Sequence, residues 1–259
     1  MPKIKILGSC SGTEPMPDRH HTSVVLTHNG SHYFFDAGEN CSRLAHLGGI
    51  DLLKTRAVFI SHTHYDHIGG LAGLFWNLRK LCAVSKSAPQ YTEIPLFIPE
   101  LEAWEGIKAM LSHTEGGFFG KLAFSICPKQ PKPCLFYEDE SIKVTAYPSH
   151  HLPDREDGLC RSFSFRIELD GFCVVYSGDV GKVDDLCEPI GEGCDLLLME
   201  TGHHKVSDVC HFAESREIKE LIFYHHGREI LNSSPTVDES IATCKVKTAI
   251  AFDGMEIEI

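Results

Sequence analysis

Four metal-binding side chains crowd into His62-Thr63-His64-Tyr65-Asp66-His67. Neutral imidazoles with one carboxylate form a donor mix that suits zinc and also accepts manganese or iron. The run follows an apolar stretch, Ala57–Ile60, that reads as a buried strand, and it precedes Gly69-Gly70 and a helical pattern. A strand-end loop can aim all four side chains at one space. A surface histidine run with incidental charge would have no reason to keep this order between a strand and a helix.

Such a loop needs a scaffold. Ten short apolar runs have strand character: Ile4–Leu7, Ser23–Leu26, Tyr33–Phe35, Ala57–Ile60, Ile142–Tyr147, Ser162–Leu169, Phe172–Tyr176, Leu196–Met199, Leu221–Tyr224 and Ala249–Phe252. Asn29-Gly30, Asp170-Gly171 and Asp253-Gly254 lie between apolar flanks and read as hairpin turns. Helical spacing appears at Leu71–Val84, Glu100–Ser112, Val206–Glu217 and Thr236–Lys245. The stretch from Ser85 to Glu140 is rich in Pro, Gly and aromatics such as Trp104, Phe118 and Phe119, and reads as a lid or insertion. Helices and paired strands alternate, which gives an α/β (α+β) class of sheets covered by helices and leaves several arrangements open.

The 259 residues are read as one domain, 1–259. A hydrophobic fraction of 42% and a charged fraction of 23% exclude a disordered chain or a coiled coil. The amino terminus has no signal-peptide core and no apolar run reaches membrane-spanning length, so the expected location is cytoplasmic, with no membrane partner. Eleven cysteines without a Cys-x-x-Cys pair read as structural thiols. With 36 acidic against 24 basic residues the net charge is −12, which disfavours a sequence-independent grip on nucleic acid, although a local site could still take one anion.

At this point the chain resembles the metallo-β-lactamase superfamily over nearly its whole length. The resemblance implies a four-layer αβ/βα metallo-β-lactamase sandwich with metals at one edge. It matches Asp36 to the first family motif, His62, His64, Asp66 and His67 to the second, His151 in Tyr147-Pro148-Ser149-His150-His151 to the third, Asp179 in Ser177-Gly178-Asp179 to the fourth, and His225 to the fifth. It implies two divalent metal ions, zinc first and manganese or iron as alternatives. His62, His64 and His151 would hold one, Asp66, His67 and His225 the other, and Asp179 would bridge them. His150 and His226 stay open as replacements for their neighbours. Two such ions would bring a water's pKa toward about 7, which makes hydrolysis the implied chemistry.

Three features resemble the phosphodiesterase branch of that family, which includes ribonuclease Z and a phosphoribosyl cyclic phosphodiesterase. The opening Leu7-Gly8-Ser9-Cys10-Ser11-Gly12-Thr13-Glu14-Pro15 is one, and Phe35-Asp36-Ala37-Gly38-Glu39, with Asp36 orienting ligand histidines, is another. The third is His203, 22 residues before His225, where the branch carries a phosphate-contacting histidine. There it would stabilise the oxyanion or protonate the leaving oxygen, with Glu200 orienting it and His204 open as the alternative. The implied catalytic set is Asp66, His203, Asp36 and Glu200. Asp179 stands where zinc β-lactamases carry another pattern. The 27 residues between His151 and Asp179 leave no room for the long tRNA-gripping arm of ribonuclease Z. The favoured partner is therefore a small anionic phosphodiester. Competing readings are a ribonuclease Z-type tRNA endonuclease, a hydrolase of carboxylic esters, lactones or thioesters, and a metal-binding protein without turnover. A homodimer stays open.

Overall fold

The computed structural model describes residues 1–259, which divide into two compact units. The first comprises Met1–Gly8, Pro17–Gln130 and Asp253–Ile259, and the second comprises Ser9–Met16 and Pro131–Phe252. Each is built on one seven-stranded sheet.

In the first unit, β1 (Lys3–Gly8), β2 (Ser23–His28) and β3 (Ser31–Phe35) are followed by helix α1 (Cys41–Leu47) and β4 (Thr55–Phe59). Then come the short α2 (Tyr65–Ile68), α3 (Leu71–Ser85), β5 (Glu93–Phe97), α4 (Leu101–Ser112) and β6 (Ser125–Lys129). The second unit holds β7 (Leu135–Glu138), β8 (Lys143–Pro148), β9 (Phe163–Leu169), β10 (Phe172–Tyr176), α5 (Cys187–Ile190), β11 (Cys194–Thr201), α6 (Val206–Glu214), β12 (Ile218–His226), α7 (Arg228–Leu231), α8 (Pro235–Thr243) and β13 (Lys247–Ile250). The last strand, β14 (Glu256–Glu258), returns to the first sheet beside β1.

The two sheets share one plan. In the first, the order is β14-β1-β2-β3-β4-β5-β6, antiparallel as far as β3 and parallel beyond it. In the second, β7-β8-β9-β10 are antiparallel and β10-β11-β12-β13 parallel. Parallel neighbours need crossover connections, and the helices supply them. Along α3 the buried residues Leu71, Leu74, Phe75, Leu78 and Cys82 fall on one helical face and pack into the core with Val58, Ile60 and Leu96. In the second unit Val206, Val209, Cys210 and Ala213 of α6 do the same against Leu197 and Leu221.

The ten expected strands are all present, and two of the three turns join paired strands. Asn29 and Gly30 (φ 47° and 74°) connect β2 to β3, and Asp170 and Gly171 (φ 47° and 80°) connect β9 to β10, the paired positive φ values of a tight hairpin. Asp253-Gly254 is also a turn, but it links β13 and β14, which belong to different sheets, so it is no hairpin. The helix expected over Val206–Glu217 stops at Glu214 because Ile218 already pairs with Cys194. The stretch 85–140 contributes β5 and β6 to the first sheet, β7 to the second, and α4 with its buried Trp104. All eleven cysteines are free thiols, and burial pushes Cys41 up to about 12 and Cys194 up to about 12. No helix is long and apolar enough to cross a membrane.

Candidate functional site

In both sheets the chemically capable side chains gather at the carboxyl ends of strands, around the place where antiparallel pairing gives way to parallel pairing. Open α/β sheets characteristically bind ligands at such ends, where crossover loops diverge.

In the first unit, β4 delivers the chain into the histidine run. Ile60 still donates its N–H to Phe97 O (2.8 Å), which holds the strand exit rigid. His64 precedes α2, so Asp66 and His67 sit on that helix. The His62 ring lies 4.5 Å from His64 and 4.0 Å from His67, centroid to centroid, and His67 Nε2 is 3.5 Å from Asp66 Oδ2. Asp36 follows β3 with φ 58°, a left-handed conformation that Asp tolerates. Its fully buried carboxylate accepts from Ser61 N–H (2.7 Å), Ser61 Oγ–H (2.8 Å) and His67 Nδ1–H (2.8 Å). A buried carboxylate requires such partners. The contact also fixes the His67 tautomer, leaving the Nε2 lone pair outward.

The loop after Asp36 is stitched to the same run. Ala37 donates to His67 O (2.7 Å) and Gly70 donates to Ala37 O (2.8 Å). At Gly38 a Cβ would lie 2.6 Å from Asp66 O, so the approach is open to glycine alone.

The second unit brings together His151, Asp179, His203 and His225, with Glu200 beneath them. Asp179, 2% exposed, follows β10. Its Oδ1 lies 3.3 Å from His225 Nε2, and its Oδ2 lies 3.7 Å from both His151 Nε2 and His203 Nδ1. The donor atoms of Asp179, His203 and His225 all fall within 4.8 Å of one another. Glu200, fully buried at the end of β11, accepts the backbone N–H of His203 (2.9 Å) and lies 3.3 Å from its Nδ1. The same carboxylate is 3.4 Å from His204 Nε2, but that ring also reaches Val180 O (3.0 Å). The His203 side chain is 43% exposed, accessible where the others are closed in.

The neighbouring histidines differ in what they face. His225 is the extra residue of a bulge: Glu200 pairs with Tyr224 and Thr201 with His226, leaving His225 between them at φ 50°. Bulges re-aim side chains, and this one turns His225 toward Asp179. His226 is engaged at both ring nitrogens, by Ala251 O (2.8 Å) and Thr201 Oγ1 (3.2 Å). His150 is exposed and faces Asp185 (3.2 Å). Gly202 lets the His225 ring lie against the backbone, since a Cβ there would meet its Nδ1 at 2.7 Å. The glycine-rich opening runs alongside: Ser11 Oγ–H donates to His226 O (2.8 Å) and His226 N–H to Ser9 O (2.8 Å).

Two supporting residues escape the sequence reading. Ser61 braces Asp36, and Ser177 Oγ accepts the Glu200 N–H (3.0 Å) while donating to Gly178 O (2.6 Å). Their one signal is position, since each shortly precedes a motif residue. Clustered imidazoles with buried, braced carboxylates are a donor set that suits divalent metal ions.

A family model described as a beta-lactamase superfamily domain matches residues 18–226. The ribonuclease Z of Methanocaldococcus jannaschii is 23% identical over 284 aligned positions, covering 86% of this chain and 85% of that protein. Among solved structures, the short form of human tRNase Z is similar with a TM-score of 0.70 and 22% identity over 99% of both chains. A diphosphatase of the PhnP family is similar with a TM-score of 0.65 and 17% identity, covering 100% of this chain and 98% of that one.

Proposed function

The chain belongs to the beta-lactamase superfamily, in its ribonuclease Z-like branch, and from that premise we propose that it hydrolyses a small phosphodiester or nucleotide-type substrate with the help of two divalent metal ions. In this reading His62, His64 and His151 hold one ion and Asp66, His67 and His225 the other, with Asp179 shared. Zinc fits the donors, as do manganese and iron. Paired divalent ions, when bound, lower the pKa of water and neutralise charge on a phosphoryl group.

The remaining work falls to the chain's own groups. Asp36 holds the Nδ1–H of His67 and so keeps Nε2 available as a donor atom. Glu200 holds His203 by its backbone N–H and lies against its ring, which leaves Nε2 to donate a proton or hydrogen bond to the leaving oxygen. The observation that carries the proposal is this exposed histidine, braced by a buried carboxylate and set 3.7 Å from Asp179.

The size of the substrate follows from two features. Between His151 and Asp179 the β9–β10 hairpin takes about half of the chain and the rest is too short for a long arm, and the net charge of −12 opposes a long phosphate backbone. The second reading, a tRNA 3′-processing endonuclease, is favoured by the ribonuclease Z and tRNase Z relatives. The deciding experiment compares a bis-aryl phosphate, an aryl carboxylic ester and a precursor tRNA on metal-loaded protein. Turnover of the bis-aryl phosphate above the ester supports the proposal. Turnover of the ester alone overturns it, and efficient cleavage confined to precursor tRNA transfers it to the second reading.

A further inference from the structure

A groove of about 680 Å³ runs between α1 and α3 in the first unit and starts at the histidine run itself, where Tyr65, Gly69 and Gly70 line its mouth. From Gly70 it follows one stripe of α3 as far as Val84, a length of roughly 20 Å at the helical rise. Its lining is open at Gly73, where a Cβ would meet nothing nearer than Ser42 Oγ at 3.8 Å. Volume and shape suit a ligand of nucleotide size.

The lining says which ligand. Tyr65, between two residues of the histidine run, is 70% exposed, and its ring lies over Gly69, where a Cβ would sit 2.9 Å from Cε1. An exposed aromatic face of this kind stacks planar bases. Arg43 of α1 is exposed and engages no carboxylate, and Lys80 faces the groove from α3 while also reaching Glu115 (3.0 Å). In a chain of net charge −12, the lining sets Arg43, which has no carboxylate partner, against Glu39, while Lys80 is already paired with Glu115. A simple anion would gain from Arg43 and lose to Glu39. A nucleotide uses both, since sugar hydroxyls donate to a carboxylate while a phosphate pairs with guanidinium.

We propose that this groove is the subsite for the nucleotide flanking the scissile diester, with its base on Tyr65, its sugar hydroxyl on Glu39 and its far phosphate on Arg43. This rests on the phosphodiesterase reading and narrows it to substrates carrying a second phosphate beyond the one that is cleaved.

The test uses the nitrophenyl diester of uridine 5′-monophosphate bearing a 3′-phosphate, which keeps its 2′-hydroxyl free, and bis-nitrophenyl phosphate, which has no nucleoside. The readout is the ratio of their kcat/KM values on metal-loaded protein. Arg43→Gln removes the phosphate partner, and Gly73→Gln fills the open lining with a residue that helices favour over glycine. Each is expected to lower the ratio about 10-fold, with a matching loss of uridine 3′,5′-bisphosphate affinity by calorimetry, as the removal of one charge-assisted contact implies. A ratio and an affinity unmoved in both variants overturn the proposal. If the parent chain hydrolyses neither diester, the phosphodiesterase reading fails instead, and calorimetry still decides the groove. No uptake of uridine 3′,5′-bisphosphate by a chain that sediments as a dimer would assign the groove to a second copy and also overturn the proposal.

Discussion

The Oδ2 atom of Asp36 lies 2.8 Å from Nδ1 of His67, with both side chains fully buried, and this contact divides ligand from support. Asp36 follows β3 and Asp179 follows β10, the two strands at which the sheets change from antiparallel to parallel pairing. Yet their surroundings differ. Asp36 is engaged by Ser61 and His67, whereas Asp179 faces the rings of His151, His203 and His225. Asp36→Ala is therefore expected to lower kcat/KM by about 10–100-fold, as loss of an orienting partner does, and Asp179→Ala to lose far more. Steady-state rates at matched metal occupancy decide it. Equal losses would show that the bridge has been misassigned.

A second expectation concerns metal content. Seven donor residues make two complete sets only if Asp179 is shared, so untagged protein loaded without chelator should hold two ions per chain by elemental analysis. Loading should also raise the unfolding midpoint, since a ligand at 100 times its Kd stabilises the native state by about 2.7 kcal/mol. Stoichiometry that never exceeds one ion per chain would sink the dinuclear assignment.

How much of this was legible in the sequence depended on how local the signal was. The His62–His67 run, the strand before it and the Asn29-Gly30 hairpin carry their own pattern, whereas Asp36 and Asp179 were singled out only through the family resemblance. Four strands did not announce themselves. β5 contains Pro95 and β6 contains Pro128, residues that read as breakers, yet Pro95 lies before the pairing with β4 begins and β6 is an edge strand. β7 and β14 are only four and three residues long, and β14 finds its partner β1 at the far end of the chain. Helix α1 is short and starts from Asn40 in a left-handed conformation, with no capping side chain to mark it. The orientation of His225 was illegible because it depends on the register shift between β11 and β12, which no local pattern records.

Stability should respond to pH through His32. Burial on β3 pushes its pKa down from 6.5 to about 4, with Lys54 also lowering it and Asp51 opposing. The folded chain thus keeps this ring neutral while the unfolded chain takes up a proton near 6.5. Its contribution is complete above that pH and is lost progressively as pH falls toward about 4. Denaturant unfolding of the parent chain should lose stability more steeply across that window than His32→Gln, which can still meet Thr27 Oγ1 (2.9 Å in the parent) but cannot ionise. Parallel pH profiles would show that His32 titrates alike in both states.

The last expectation turns on His203. Its side chain is 43% exposed while Glu200 behind it is fully buried, so the ring is presented outward from a fixed mount. If it serves the leaving oxygen, His203→Ala should retain both metal ions and much of its substrate affinity while kcat falls by roughly 10²–10⁴. Glu200→Gln should give a smaller loss, because the backbone N–H can still be accepted while the charge that favours the protonated ring is gone. The loss in His203→Ala should shrink for nitrophenyl diesters, whose leaving oxygen departs without a proton, and remain large for alkyl diesters. A loss equal for both leaving groups would move His203 from proton donor to oxyanion partner. If His204→Ala instead carried the effect, the two neighbours would exchange roles, against the 3.0 Å contact that ties His204 to Val180 O. Full activity in both variants on both substrates would leave the phosphodiesterase reading without its carrying residue, and the ester and thioester panel would then decide the reaction.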